Sequence, residues 1–203
     1  MKAVGRFIVL DGPSGVGKTT VASRLCARLR DGGWAVHPTK EPSRTKLGDL
    51  ARHGTDEYRG LTLACMVTAD RYYHLEAEVR PAVAAGKVVV SDRYLATSLV
   101  LQRLDGVSPE FIWTINRYAD RPDLVIILTG DPIRSRDRAA VRGIHSRFHR
   151  GGVEAGHIEN ELYGQVANEL TAAAWPVHRH DVSDQTPDEV VSALWPQVLP
   201  LLP

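Results

Sequence analysis

Gly12-Pro13-Ser14-Gly15-Val16-Gly17-Lys18-Thr19 fits the pattern G-x-x-x-x-G-K-[ST], with Thr20 directly after it. Glycines at these spacings let the backbone curl until successive N–H groups converge on phosphate oxygens. Lys18 adds a positive charge, and a helix starting there points its positive end the same way. Thr19 offers a hydroxyl to the Mg²⁺ that accompanies a nucleoside triphosphate. A glycine turn with an incidental lysine would require neither the full spacing nor a strand before it and a helix after it. Residues 12–20 are therefore predicted to bind a triphosphate, which leaves open whether its phosphate is transferred or only sensed.

Asp92 and Arg93 follow Val88-Val89-Val90, at the carboxyl end of an expected strand, where open α/β sheets place their ligands. A carboxylate at that end can hold Mg²⁺ through water or orient Arg93; a surface ion pair is the bland alternative. Arg134, Arg136, Arg138, Arg142, Arg147 and Arg150 crowd one segment, more positive charge than a solvated helix face requires. His145 with His149 and His178 with His180 have no third ligand at metal spacing, so they read as solvated histidines.

These residues need a frame. Phe7-Ile8-Val9-Leu10 is a short apolar run that stops at Asp11-Gly12-Pro13, and Val21, Leu25 and Leu29 then recur at helical spacing up to Gly32-Gly33. A second strand is expected at Trp34–His37. Leu61, Cys65, Thr68, Tyr72, Leu75 and Val79 predict one long helix ending near Gly86. Val88–Val90 and Leu124–Leu128 read as further buried strands, each followed by a helix. Ser108-Pro109, Asp131-Pro132 and Thr186-Pro187-Asp188-Glu189 read as helix starts, the last a capping box. Gly143 to Gly156 reads as a mobile loop. The alternation of strand and helix predicts an α/β fold of three layers, a central parallel sheet flanked by helices.

At 203 residues, 43% hydrophobic and 24% charged, residues 1–203 are expected to form a single domain. A formal net charge of +1 provides no global field for a nucleic-acid backbone, so a small anionic partner is expected and no nucleic acid. No stretch reaches membrane-spanning length and only Cys26 and Cys65 are present, both expected in the core, which predicts a cytoplasmic protein with no membrane partner.

In order and spacing, the phosphate loop, Thr39-Lys40-Glu41-Pro42, Ala69-Asp70-Arg71, Ser91-Asp92-Arg93-Tyr94 with Gln102, Asp131-Pro132 and Arg142-Gly143 with Arg147-Phe148 resemble thymidylate kinases over most of the chain. The resemblance implies a P-loop NTPase fold with an arginine-rich lid near residues 142–158. It implies phosphorylation of a nucleoside monophosphate by ATP and Mg²⁺, with Thr19 and Asp92 at the metal. Lys18, Asp92, Arg93, Arg142 and Arg147 become the catalytic candidates. Arg93 would grip the acceptor phosphate, and Arg71 would meet the base rather than pair on the helix surface with Glu76 or Glu78. Lys40 stands where the family usually has an arginine, keeping the charge and losing the fork. Asp11, Val67, Leu101 and Gln102 complete the acceptor set. Because Gly15 lies where some members carry a catalytic arginine, that arginine is expected from the lid.

Three acceptor-side positions depart from the resembled pattern. Val67 and Leu101 stand where aromatic rings are usual, and Ser14 replaces an acidic residue. The departures raise the expectation of an enzyme of this type repurposed for another metabolite, and the phosphate loop by itself also allows, from a different class, a nucleotide-dependent switch. Tyr72, Tyr73 or Tyr94 is expected to replace a missing ring. A homodimer is implied by the resemblance alone.

Overall fold

The structure is a computed structural model that describes residues 4–141, 147–149 and 153–202. Five parallel strands form one sheet in the order β2-β3-β1-β4-β5: β1 (Arg6–Asp11), β2 (Val36–Lys40), β3 (Val88–Asp92), β4 (Leu124–Thr129) and β5 (Val177–Asp181). In register, Leu10 is opposite Asp92 on one side and Ile126 on the other, so β1 ends one residue beyond β3 and β4 runs on to Thr129. Successive residues of β1 face opposite layers. Phe7 and Val9 pack with Leu75, Leu99 and Val166, whereas Ile8 and Leu10 pack with Leu25, Leu29 and Leu194. Both faces being covered, β1, β3 and β4 carry apolar runs instead of an apolar–polar alternation.

The helices are α1 (Lys18–Asp31), α2 (Lys46–His53), α3 (Gly60–His74), α4 (Arg80–Ala84), α5 (Leu95–Leu104), α6 (Pro109–Ile115), α7 (Pro132–Val141), α8 (Val153–Ala172) and α9 (Pro187–Val198). The expected starts at Ser108, Asp131 and Thr186 hold. The Ser108 hydroxyl accepts from Phe111 N, and Asp131 Oδ1 accepts from Ile133 N at 2.8 Å. Thr186 and Glu189 close the capping box.

Several expectations are corrected. The second strand begins at Val36, not Trp34, because Trp34 N donates to Leu29 O and closes the end of α1. The long helix is present without a gap from Gly60 to Ala84, but it widens into a turn of π type over Leu75–Val79 between α3 and α4. Pro81 has no N–H to donate and its ring would clash with the carbonyl four residues back, which the wide turn relieves. Cys65 is exposed rather than in the core, and so is Leu61; Leu63 and Ala64 carry the buried stripe there. Cys26 is buried as expected. The loop expected to reach Gly156 ends earlier, since α8 begins at Val153; residues 142–146 and 150–152 lie outside the described residues. β5 was not anticipated. Its sequence, Val-His-Arg-His-Asp, occupies the edge of the sheet and lacks the apolar run that marks the inner strands. Among the described residues, no helix is long and apolar enough to cross a membrane.

Candidate active site

The phosphate loop leaves β1 at its carboxyl end and runs into α1, as its pattern requires. Gly12 has φ +143°, and a Cβ there would lie 2.3 Å from Leu128 O of the neighbouring strand. Gly17 has φ +112° and caps α1. Both positions demand glycine for backbone reasons. Lys18 is buried and curls back on the loop, its Nζ donating to Gly12 O at 2.8 Å and Pro13 O at 2.7 Å. Burial, then the Arg93 charge, lowers its pKa to about 7. Val16 anchors the loop in the core beneath α1, while Thr20 is exposed.

Beside the loop, Thr19 Oγ1 donates to Asp92 Oδ2 at 2.5 Å. Asp92 Oδ1 is buried and has no hydrogen-bond partner among the described residues. A buried carboxylate oxygen left bare next to a threonine hydroxyl is a donor pair suited to a hard cation. Arg93 sits at φ +81°, a conformation uncommon for a side chain of its size, with its N–H donating to Leu10 O. One of its guanidinium nitrogens reaches Thr97 Oγ1 at 3.1 Å. Thr97 in turn donates to Asp11 Oδ1, and the Tyr163 hydroxyl lies 3.0 Å from Thr97 Oγ1. Burial lifts the Asp11 carboxyl to about 6 against the pull of the Thr97 hydroxyl and the Arg93 charge. Asp11 thus acts as an anchor, holding Tyr94 N at 3.0 Å and Thr97 at the start of α5.

A cavity of about 330 Å³ opens next to these groups. Lys40, Val67, Arg71, Asp92, Arg93, Leu101 and Gln102 all line it, so the structure brings together acceptor candidates spread over sixty residues of sequence. Arg71 is 1% exposed. Its Nε donates to Glu41 Oε2 at 2.8 Å, and its other nitrogens reach Asn116 Oδ1 at 2.5 Å and Ser98 Oγ at 2.8 Å. The surface pairing with Glu76 or Glu78 does not occur; Glu78 instead meets His37 at 2.8 Å. Asp70, one residue earlier, accepts from Ser43 N at 2.7 Å and Ser43 Oγ at 2.6 Å. The Glu41-Pro42 and Asp70-Arg71 segments therefore lock each other in place. Lys40 has its pKa lowered by partial burial and by the Arg52 and Arg44 charges. Gln102 is 3% exposed, and its Oε1 has no partner among the described residues.

Two lid candidates fare differently. Arg142 lies outside the described residues. Arg147 is brought to Asp105, with a nitrogen 2.6 Å from Asp105 Oδ2, where the end of α5 meets the start of α3, rather than to the phosphate loop. Sequence reasoning missed Glu159 on α8, which is 4% exposed and accepts from Ser14 N at 3.1 Å and Ser14 Oγ at 3.2 Å. It also missed Tyr163, Thr97, Ser98, Asn116 and Arg52. None carries a motif of its own: Thr97 and Ser98 open α5 just after Arg93, and Tyr163, Asn116 and Arg52 meet the site only through the fold.

A parallel sheet with a phosphate-binding loop at the carboxyl end of its central strand, next to a cavity floored by a buried arginine, defines a P-loop phosphotransferase. The family model described as thymidylate kinase matches residues 10–154. The chain belongs to the thymidylate kinase family. It is 38% identical over 156 residues to a probable thymidylate kinase of Pyrococcus abyssi, covering 72% of this chain and 75% of that protein. A probable thymidylate kinase of Staphylothermus marinus is 37% identical over 145 residues, 71% of this chain and 72% of the relative. A thymidylate kinase of Synechococcus sp. is 35% identical over 210 residues, 97% of this chain and 96% of the relative. Nothing in these relatives supports a repurposed metabolite kinase or a nucleotide-dependent switch.

Proposed function

We propose that the protein transfers the γ-phosphoryl group of ATP to the 5′-phosphate of thymidylate, yielding ADP and thymidine diphosphate. The observation that carries this reading is the shared cavity: a buried arginine, a buried glutamine with a bare carbonyl oxygen, Lys40 and Arg93 all line it, and Thr19 of the phosphate loop lines it too. A buried amide oxygen without a partner is costly and favours a ligand that donates an N–H, which the imide of thymine does. Arg93 and Lys40 supply positive charge for the acceptor's phosphate, Arg93 with a planar fork and Lys40 as a point charge.

On the donor side, Lys18 exchanges the carbonyls of Gly12 and Pro13 for phosphate oxygens, and the N–H groups of residues 15–20 hold the β-phosphate region. Thr19 and Asp92 fit a magnesium ion, which when bound supplies positive charge against the terminal phosphate oxygens. Lys18 then stabilises charge developing on the transferred group, and Arg93 keeps the attacking phosphate in line. Arg142 remains the lid arginine proposed to add charge from above. Two unpaired cysteines agree with a reducing, cytoplasmic address, and a homodimer is proposed on the family resemblance.

The test is an acceptor screen with ATP and Mg²⁺, following ADP release with thymidylate, other nucleoside monophosphates and no acceptor. The reading predicts that thymidylate has the highest kcat/KM. Equal or faster release with a purine monophosphate, or release independent of any acceptor, overturns it.

A further inference from the structure

The acceptor cavity has no aromatic ring on α3 or α5; its apolar wall there is Leu63, Val67 and Leu101. Among the described residues, two rings line it, Tyr94 and Phe148. Tyr94 is committed elsewhere. It is 1% exposed, its edge-to-face partner Phe7 is 5.2 Å away, the Arg71 guanidinium covers it at 5.1 Å, and its hydroxyl donates to Asp120 O at 2.9 Å. Tyr72 donates to Ile115 O at 2.7 Å and Tyr73 is exposed, so neither reaches the cavity lining.

Phe148 is half-buried, and it is fixed from outside the cavity. The Arg147 guanidinium lies 4.4 Å from the ring centre. Arg147 is tied in turn to Asp105 at 2.6 Å and, through its backbone N–H, to Thr55 Oγ1 at 3.4 Å. Asp105 also accepts from Gly60 N at 2.5 Å, which joins the end of α5 to the start of α3. The side chains of Arg147 and Asp105 are 14% and 13% exposed, enough shielding from water for their attraction to hold one geometry. A ring in a cavity wall, backed by a guanidinium that is itself pinned, is a preorganised platform for a flat ligand.

We propose that Phe148 supplies the aromatic face on which the acceptor's base stacks, with Arg147 and Asp105 as its positioning residues. The ring thus comes from the segment between α7 and α8, where Val67 and Leu101 cannot provide one. This inference rests on the acceptor being a pyrimidine nucleotide. Stacking on one aromatic side chain is worth roughly 5- to 150-fold in affinity.

The experiment compares the parent, Phe148→Leu, which keeps apolar bulk and loses the ring, and Phe148→Tyr, which keeps the ring. Binding of thymidylate, of the base-free sugar deoxyribose 5-phosphate (by competition) and of ATP is measured for each. The account predicts that Phe148→Leu weakens thymidylate at least fivefold, with the sugar phosphate and ATP unchanged, and that Phe148→Tyr stays within about twofold of the parent. Asp105→Asn should weaken thymidylate less, and add nothing in the Phe148→Leu background. Unchanged thymidylate affinity in Phe148→Leu, or an equal loss for thymidylate and the sugar phosphate, overturns the role of Phe148 alone. A parent that does not turn over thymidylate overturns the functional reading first and this inference with it.

Discussion

The two halves of the site are built in opposite ways. The donor half is one continuous stretch, Gly12 to Thr20, whose curl is held from within by Lys18, bonded to carbonyls five and six residues behind it, while Glu159 at Ser14 and Asp92 at Thr19 tie it to the rest of the fold. The acceptor half is gathered from β2, α2, α3, the end of β3, α5 and the segment before α8, with Arg71 held by Glu41, Ser98 and Asn116 from three of its neighbours. A local site is specified by backbone geometry, so few sequences can form it. An assembled site can exchange one contributor for another, as a ring from position 148 in place of one at 67 or 101 illustrates.

The largest consequence falls on Arg71. Arg71→Ala leaves the buried Glu41 carboxylate and Asn116 without their cation, and should lower stability by about 3–5 kcal/mol, read from urea unfolding. Val67→Ala, on the same helix and lining the same cavity, should lose far less. If the two variants unfold alike, the acceptor half is not organised around Arg71.

Lys18→Ala should cut kcat by roughly 10²- to 10³-fold while leaving thymidylate affinity near the parent's, as measured by steady-state ADP release and by calorimetry. A comparable loss of thymidylate binding would show that the two halves are not separate.

The ionisation of Lys18 sharpens the comparison further. In the free protein its pKa is lowered to about 7, and the negative phosphates of ATP favour its charged form and raise that pKa. ATP binding above pH 7 therefore takes up a proton, and affinity falls by up to about tenfold per pH unit as pH rises through that window. Calorimetry at pH 8 in two buffers of different ionisation heat should show uptake approaching one proton. Thymidylate, which does not reach Lys18, should show none from this group. The same shift acts on folding: the unfolded chain binds this proton up to about pH 10.5 and the folded chain only to about 7, so the cost that burying Lys18 places on folding shrinks as pH rises between them.

The smallest effect is at Lys40. Lys40→Arg restores a fork for the acceptor phosphate and should lower the thymidylate KM by roughly two- to fivefold, with kcat little changed.

The same contrast decides what could be read in the sequence. The loop, β1, β3 and β4 were legible because a contiguous pattern or an apolar run of doubly covered strand carries each of them. Lys40, Arg71 and Gln102 were legible only through resemblance in motif order, Arg93 also through its place at the end of β3, and the cavity shows them together. Glu159 under Ser14, and Asp105 behind Arg147, were not legible; each is an ordinary charged residue on a helix until the fold brings it to its partner more than forty residues away. β5 escaped because an edge strand can be written in histidine and arginine. Cys65 misled because the helical stripe it joined is shifted by one position at that end of α3.

Phosphorus NMR of one sample containing the protein, ATP, Mg²⁺ and thymidylate follows donor and acceptor at once. Signals of ADP and thymidine diphosphate should grow together, one for one, as those of ATP and thymidylate decline. Growth of ADP with inorganic phosphate alone, the thymidylate signal staying constant, would contradict the account.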